Sequence, residues 1–362
     1  MEKKGRFIIK KRGVTGCILL AAGFALLFSA KLFQGFADWY STHLYQLWVS
    51  TVSRIMNLIP FSVAEFLIYI VIIGILGTGT WLVIRLILKK AGRKEVLSWG
   101  TNLLLLVSVL FFLYVVNCGI NYNRDSFSET SSITVEEYTV EELEEVCRWL
   151  TAEMNQLASE VKRDEDGIML KPDFLQDEAV NSMEALGKEY PELSGYYSKP
   201  KGLAFPWVLS IQYLSGIYLP FTVEANYNTA MTDYNIPFVA CHELSHLRGF
   251  MQEEEANFIA FLACIQSDET AFRYSGYVSG WNYCMNVLYK ADYKAWEEIR
   301  GELAIAVEPD LKANREFWAE YDGRIAEVAN QINDTYLKAN GQDNGVKSYN
   351  QMVDLIVAYY YQ

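Results

Sequence analysis

Histidine is scarce in this chain: His43, His242 and His246 are the only three among 362 residues. A centre built from three imidazoles is therefore excluded from residues 119–362, which hold two. The six cysteines include no CxxC pair, so neither a zinc ribbon nor a disulfide scaffold is indicated. No internal repeat and no low-complexity segment is present. Cations are thin after residue 118, where 18 Lys/Arg face 40 Asp/Glu, a net −22. Such a segment repels nucleic acid and anionic surfaces, so no nucleic-acid partner is expected. The first 118 residues have the opposite balance, 13 Lys/Arg against 4 Asp/Glu, a net +9. Apolar residues make up 51% of the chain and aromatics 14%, which excludes a disordered protein.

The basic part reads as a membrane anchor. Apolar runs lie at about 14–33, 61–88 and 99–118. A bilayer core of about 30 Å needs roughly 20 apolar helical residues, so each run is long enough. Glu65 falls near the start of the second run, where an acid reaches the interface. The first run follows a basic segment, as a signal peptide would, yet Lys31, Phe33 and Phe36 crowd the place of a cleavage site. Three retained spans are expected. Lys3, Lys4, Arg6, Lys10, Lys11 and Arg12 precede the first run, and Arg85, Lys89, Lys90, Arg93 and Lys94 cluster between the second and third. The positive-inside rule then puts both clusters in the cytoplasm and everything after about residue 118 outside. The expected organisation is a basic tail (1–13), an anchor (14–118), a tether (119–134) and an extracytoplasmic domain (135–362). The outer loop, 34–60, carries Trp39, Tyr40, Tyr45 and Trp48, which suit either a helix lying on the headgroups or a plain connection.

Residues 121–133 are polar and Ser-rich, as a tether would be. Thr139-Val140-Glu141-Glu142 forms a capping box, and Leu143, Val146, Leu150, Leu157 and Val161 follow at helical spacing. Asp164 to Gly167 ends that helix, and Pro191 and Pro200 break a mixed stretch beyond it. Between Val208 and Asn228 the pattern becomes β-branched and aromatic, interrupted by Gly216 and Pro220. One or two strands are expected there, the second placed at a sheet edge by its proline. Helical periodicity returns at Ile236. The fold class expected is α+β, predominantly helical: three transmembrane helices, then an extracytoplasmic domain with a small edge sheet before the helix that starts at Ile236.

The chemistry concentrates at His242-Glu243-Leu244-Ser245-His246. Histidines four apart lie on one helix face and can reach one metal ion, and the glutamate between them is placed to deprotonate water. Asn235 and Pro237 suit the helix start, and Gly249 suits a sharp turn after it. The bland alternative is a buried helix with two satisfied histidines. A catalytic zinc needs a third protein ligand and an open position. With no third histidine, that ligand must be a carboxylate, and Glu253-Glu254-Glu255-Ala256-Asn257 follows at once. Ala256, Ala260 and Ala263 form a small-residue face that Glu253 shares, whereas Glu254 and Glu255 point roughly 100° and 200° away from it. Glu253 is therefore the candidate third ligand of one Zn²⁺, and Asn257 a hydrogen-bond partner for one imidazole. The alternative is that all three acids form a solvated first turn favoured by the helix dipole. Cys147, Cys241, Cys264 and Cys284 read as small buried thiols, with a disulfide between two of them left open.

With Glu253-x-x-Ala256-Asn257 after the HExxH, this stretch resembles the gluzincin class of zinc peptidases, although its gap from His246 to Glu253 is short. A partial metzincin pattern, ending at Gln252 where that class has histidine, ranks below it. Over nearly its whole length the chain is similar to a domain-of-unknown-function family of bacterial three-span membrane proteins. Ile59-Pro60-Phe61-Ser62, Gly216 to Thr222 with Glu224-Ala225-Asn226, and Tyr336 to Gly341 carry that likeness. The resemblance implies a membrane-anchored zinc peptidase whose extracytoplasmic domain is zincin-like, with the small edge sheet before the HExxH helix. In such an enzyme zinc lowers the pKa of water to about 7 and Glu243 takes the proton. A peptide or protein substrate would pair along 217–226. Arg273, Tyr274, Tyr277 and Tyr289 are candidates for stabilising an oxyanion, with core packing the competing use of each tyrosine. The rival from another class is a non-catalytic, metal-stabilised sensor or scaffold. An intramembrane protease is disfavoured, because the apolar run 256–265 is too short to span.

Overall fold

In the computed structural model the described residues are 2–33, 35–131, 133–342 and 351–362, with side chains from Phe7 onward. Lys3, Lys4 and Arg6, assigned above to the basic tail, therefore lie outside the described side chains. So do Gln34, Ser132 and residues 343–350 of the expected loop, tether and outer domain.

Three helices are long and apolar enough to cross a membrane, within Phe7–Leu32, Val63–Ile87 and Arg93–Asn123. The first and third run side by side. Gly23 faces Phe111, where a Cβ would clash, so the glycine lets the two backbones approach. Arg12 donates to Asn102 near their other end at 2.7 Å. The second span is tied to the third through Trp99 Nε1, which donates to Thr78 at 3.1 Å.

The third span does not stop at a tether. It continues through a π turn, Val115–Gly119, and a 3₁₀ turn, Asn121–Asn123, both sunk into the C-terminal domain. Ile120, Tyr122 and Phe127 are buried, and the Phe127 N–H donates to Glu255 Oε1 at 2.6 Å. The expectation of a tether at 119–134 is thus corrected. Ser126 caps a short helix with Glu129, while Ile120, Tyr122, Phe127 and Ile133 fill the core.

Residues 36–56 form a nearly continuous helix of alternating α and π turns. One face is buried against the C-terminal domain through Tyr40, Ser41, Tyr45, Val49 and Ser53. The other exposes Trp39, Leu47, Trp48 and Ile55. Of the four aromatics expected on the headgroups, Tyr40 and Tyr45 are instead committed to the protein core.

The C-terminal domain is mainly helical. The capping box opens the helix Val140–Ala158, with Glu142 N–H on Thr139 Oγ1 and Thr139 N–H on Glu142. Its buried face, Leu143, Val146, Leu150 and Met154, packs on the helix Thr270–Ala291. Three strands, β1 (Lys201–Gly202), β2 (Gly216–Leu219) and β3 (Glu224–Tyr227), lie in the order β1-β3-β2. β3 is parallel to β1 and antiparallel to β2. The edge position expected for the second strand is therefore corrected: β3 is central, and Pro220 sits in the β2–β3 turn, where no ladder hydrogen bond is demanded of it. β2 has no further strand on its outer side among the described residues.

A buried polar clasp fastens this sheet to the anchor. Glu224, on β3, accepts from the first N–H groups of the second span helix, Val63 at 3.1 Å and Ala64 at 2.9 Å. Lys201, on β1, donates to Glu224 at 2.6 Å and to the carbonyls of Met56 and Phe61. All three ammonium protons are thereby used. Glu65, one turn into that helix, accepts from the N–H groups of Ala204 and Phe205 at 2.9 Å each. The acid in the second apolar run thus pays for its burial with backbone bonds to the domain.

Candidate metal centre

The motif helix, Ile236–Leu247, starts with Pro237 in its first turn and lies almost wholly in the core. Leu247 ends it. Gly249, at φ +98, reverses the chain in a left-handed conformation that suits glycine. The next helix, Glu253–Ile265, then packs back on the first, with Ala256, Ala260 and Ala263 fully buried. In the long helix beyond it, Gly276 and Gly280 stand where a Cβ would strike Cys264 and Phe261.

This hairpin brings His242, His246 and Glu253 together. Their candidate ligand atoms all lie within 4.8 Å of one another. Glu253 Oε2 is 3.3 Å from His242 Nε2, and Oε1 is 3.7 Å from His246 Nε2. The edge of a tetrahedron with bonds of ~2.05 Å is about 3.3 Å, so the acid–imidazole spacings suit a small divalent ion.

The hydrogen bonds around the rings point the same way. His246 Nδ1 is 2.8 Å from the carbonyl oxygen of Phe250, which only accepts, so Nδ1 carries the proton. Burial, with the neighbouring His242 adding to it, lowers the His246 pKa to about 4, so the ring is neutral. Its Nε2 lone pair then faces a carboxylate oxygen, two acceptors that a cation between them would satisfy. Burial also works to lower the pKa of His242, but the Glu253 carboxylate outweighs it and leaves the value above that of a free imidazole. Asn257 lies beside His242. His242 Nδ1 and Asn257 Nδ2 are both buried without a hydrogen-bond partner. Exchanging the amide oxygen and nitrogen would give Nδ1–H an acceptor. Donor set, spacing and ring orientation all fit a divalent metal ion.

Glu243 stands apart from the cluster's ligand atoms. Burial, reinforced by the charge of Glu253, raises its pKa to about 8. Its Oε2 is buried with no hydrogen-bond partner. It lies against the edge strand: a Cβ on Gly216 of β2 would overlap the Glu243 carboxylate. Glycine at 216 is what lets strand and acid share this space.

The other acids of the run turn elsewhere, Glu254 to Gln342 at 2.6 Å and Glu255 to the Phe127 N–H. Gln252 heads the second helix as its N-cap. The four candidates for oxyanion stabilisation are placed away from the cluster. Tyr274 is buried and donates to Asp310 at 2.6 Å, and Tyr277 packs on Trp149 and Phe261. Tyr289 stacks with Tyr293 and Trp296, and Arg273 bonds Thr270. Tyr283 is nearer, beside Asn257, with burial and the charge of Glu253 both raising its pKa. All six cysteines are free thiols.

Comparison with protein families gives one match, to a family described as protein of unknown function, DUF3810, over residues 40–357. The chain belongs to that family. The matched region begins inside the helix at 36–56 and takes in the second and third apolar helices, so the matched unit includes part of the anchor as well as the motif hairpin. No curated protein and no solved structure matches the chain.

Proposed function

We propose that this DUF3810 protein is a membrane-anchored zinc metallopeptidase that cleaves peptide bonds outside the cytoplasm. The observation that carries this reading is the convergence of His242, His246 and Glu253, with Glu243 buried against Gly216 of β2, a strand that has no further strand on its far side among the described residues. His242, His246 and Glu253 would hold the ion, which when bound polarises a carbonyl and makes water nucleophilic near neutral pH. Glu243 takes the proton from the attacking water and returns it to the leaving amine as the C–N bond breaks. Asn257 orients His242, and the Phe250 carbonyl orients His246. The extracytoplasmic placement follows from the basic tail and the cluster at 85–94.

The test is metal analysis and peptide-library cleavage on the full chain in detergent. About one zinc per chain is expected, with activity lost to a chelator and restored by zinc. Glu243→Gln should keep the metal and lower kcat by about 10²–10⁴-fold. Zinc retained with no hydrolysis in either form would overturn the peptidase reading in favour of a metal-stabilised scaffold.

A further inference from the structure

The cluster is tied on several sides to the outer ends of the apolar helices. At the end of the third span, Asn117 Nδ2 donates to the Pro220 carbonyl at 2.8 Å, and Asn117 O accepts from Tyr218 at 3.2 Å. The next residue, Cys118, places its sulfur 3.7 Å from that of Met251, two positions before Glu253. From the outer helix, Tyr45 bonds the Tyr218 hydroxyl at 2.9 Å and the Leu247 carbonyl, at the end of the motif helix, at 3.0 Å. The opposite face of that helix is the one that exposes Trp39, Leu47 and Trp48. The second span begins at the Glu224 clasp, directly across from Leu219 in the sheet register.

Strand β2 therefore has a fixed polarity relative to the apolar helices. Its Leu219 end meets the ends of the second and third spans, and its Gly216 end lies against Glu243. Three residue steps separate these ends, about 10 Å of extended chain. An added strand pairing antiparallel to β2, as β3 does on the other side, would enter with its N-terminal part at the membrane end.

Resting on the peptidase reading above, we infer that the substrate is the juxtamembrane segment of another membrane-anchored protein, held along β2 and cut within a few residues of the bilayer. An extended chain needs only about three to six residues to run from the surface past Gly216. Segments anchored at their N-terminal side reach the site already oriented, whereas a free peptide must be captured from solution.

The test uses the full chain with zinc in phosphatidylethanolamine/phosphatidylglycerol liposomes. A randomised peptide is displayed there on an N-terminal transmembrane helix through spacers of 4, 10 or 20 residues, or is supplied free. Cleavage within about six residues of the anchor, at least tenfold faster than in free peptide or beyond the 20-residue spacer, is the expected result. Equal rates for free and anchored peptide would overturn the inference and leave the peptidase standing. A second readout separates the two ideas: Ile217→Cys, in a Glu243→Gln background, is offered anchored peptides with an activated thiol at stepped positions. Capture confined to positions near the anchor, with no cleavage by the unmodified chain, would uphold the juxtamembrane site and remove the peptidase. Neither capture nor cleavage would overturn both.

Discussion

Glu243 Oε2 is a buried carboxylate oxygen without a partner, and Glu253 divides its two oxygens between two imidazoles. A buried polar atom without a partner is costly in a core, which sets Glu243 apart from acids that serve packing alone. Glu253→Ala is expected to lower zinc affinity by more than the 10–100-fold typical of a supporting residue, and Asn257→Ala by about that supporting amount. Competition titration with a chromogenic chelator measures both, and full affinity in Glu253→Ala would remove that residue from the ligand set. His242, Glu243 and His246 were legible because their spacing follows directly from the helical repeat. Glu253 could be selected from its run by the same geometry. The Phe250 carbonyl could not, since a backbone group carries no residue-type signal. Gly216 was legible as a breaker but not as the residue that makes room for Glu243, because nothing local links positions 216 and 243.

At the level of elements, β2 and the motif helix work as a pair whose separation is set by the absence of a side chain at 216. Gly216→Val should push strand and acid apart. A displacement of about 1 Å can cost about 10²-fold in rate, so a loss of at least that size is expected, with metal content unchanged. Steady-state kinetics beside metal analysis would check it, and unaltered activity would show that β2 does not define the cleft. The clasp is the second device. Removing one partner of a buried ion pair leaves the other unpaired, at about 3–5 kcal/mol. Lys201→Met should lower stability by that order, read by denaturant unfolding in detergent, whereas exposed Lys294→Met, beside Glu298, should change it by well under 1 kcal/mol. The helices with clear caps and apolar stripes were legible. The order of the strands was not, because Pro220 signals a break without saying whether it ends an edge or makes a turn.

For the whole molecule, the division into anchor, tether and domain was the part of the architecture that composition misrepresented. Charge and hydropathy change sharply near residue 118, yet packing ignores that border. Ile120, Tyr122 and Phe127 lie in the core of the C-terminal domain, and Tyr45 and Glu65 reach that domain from the anchor side. A fragment comprising only 119–362 would strip Glu224 of the Val63 and Ala64 N–H groups, Lys201 of the Met56 and Phe61 carbonyls, and the Tyr218 hydroxyl of Tyr45 and Asn117, and is expected to lack a cooperative thermal transition that the full chain shows. Native-like melting of that fragment, followed by near-ultraviolet circular dichroism, would contradict this.

The Glu224 clasp has a consequence for biogenesis. The sheet is fastened at Glu224 only when the start of the second apolar helix is in place, so insertion becomes a step in maturing the site. A copy stranded at the ribosome or released into the cytosol would hold Glu243 beneath a sheet not yet anchored at that point. The order of assembly would then set when the His242, His246 and Glu253 cluster reaches its final geometry.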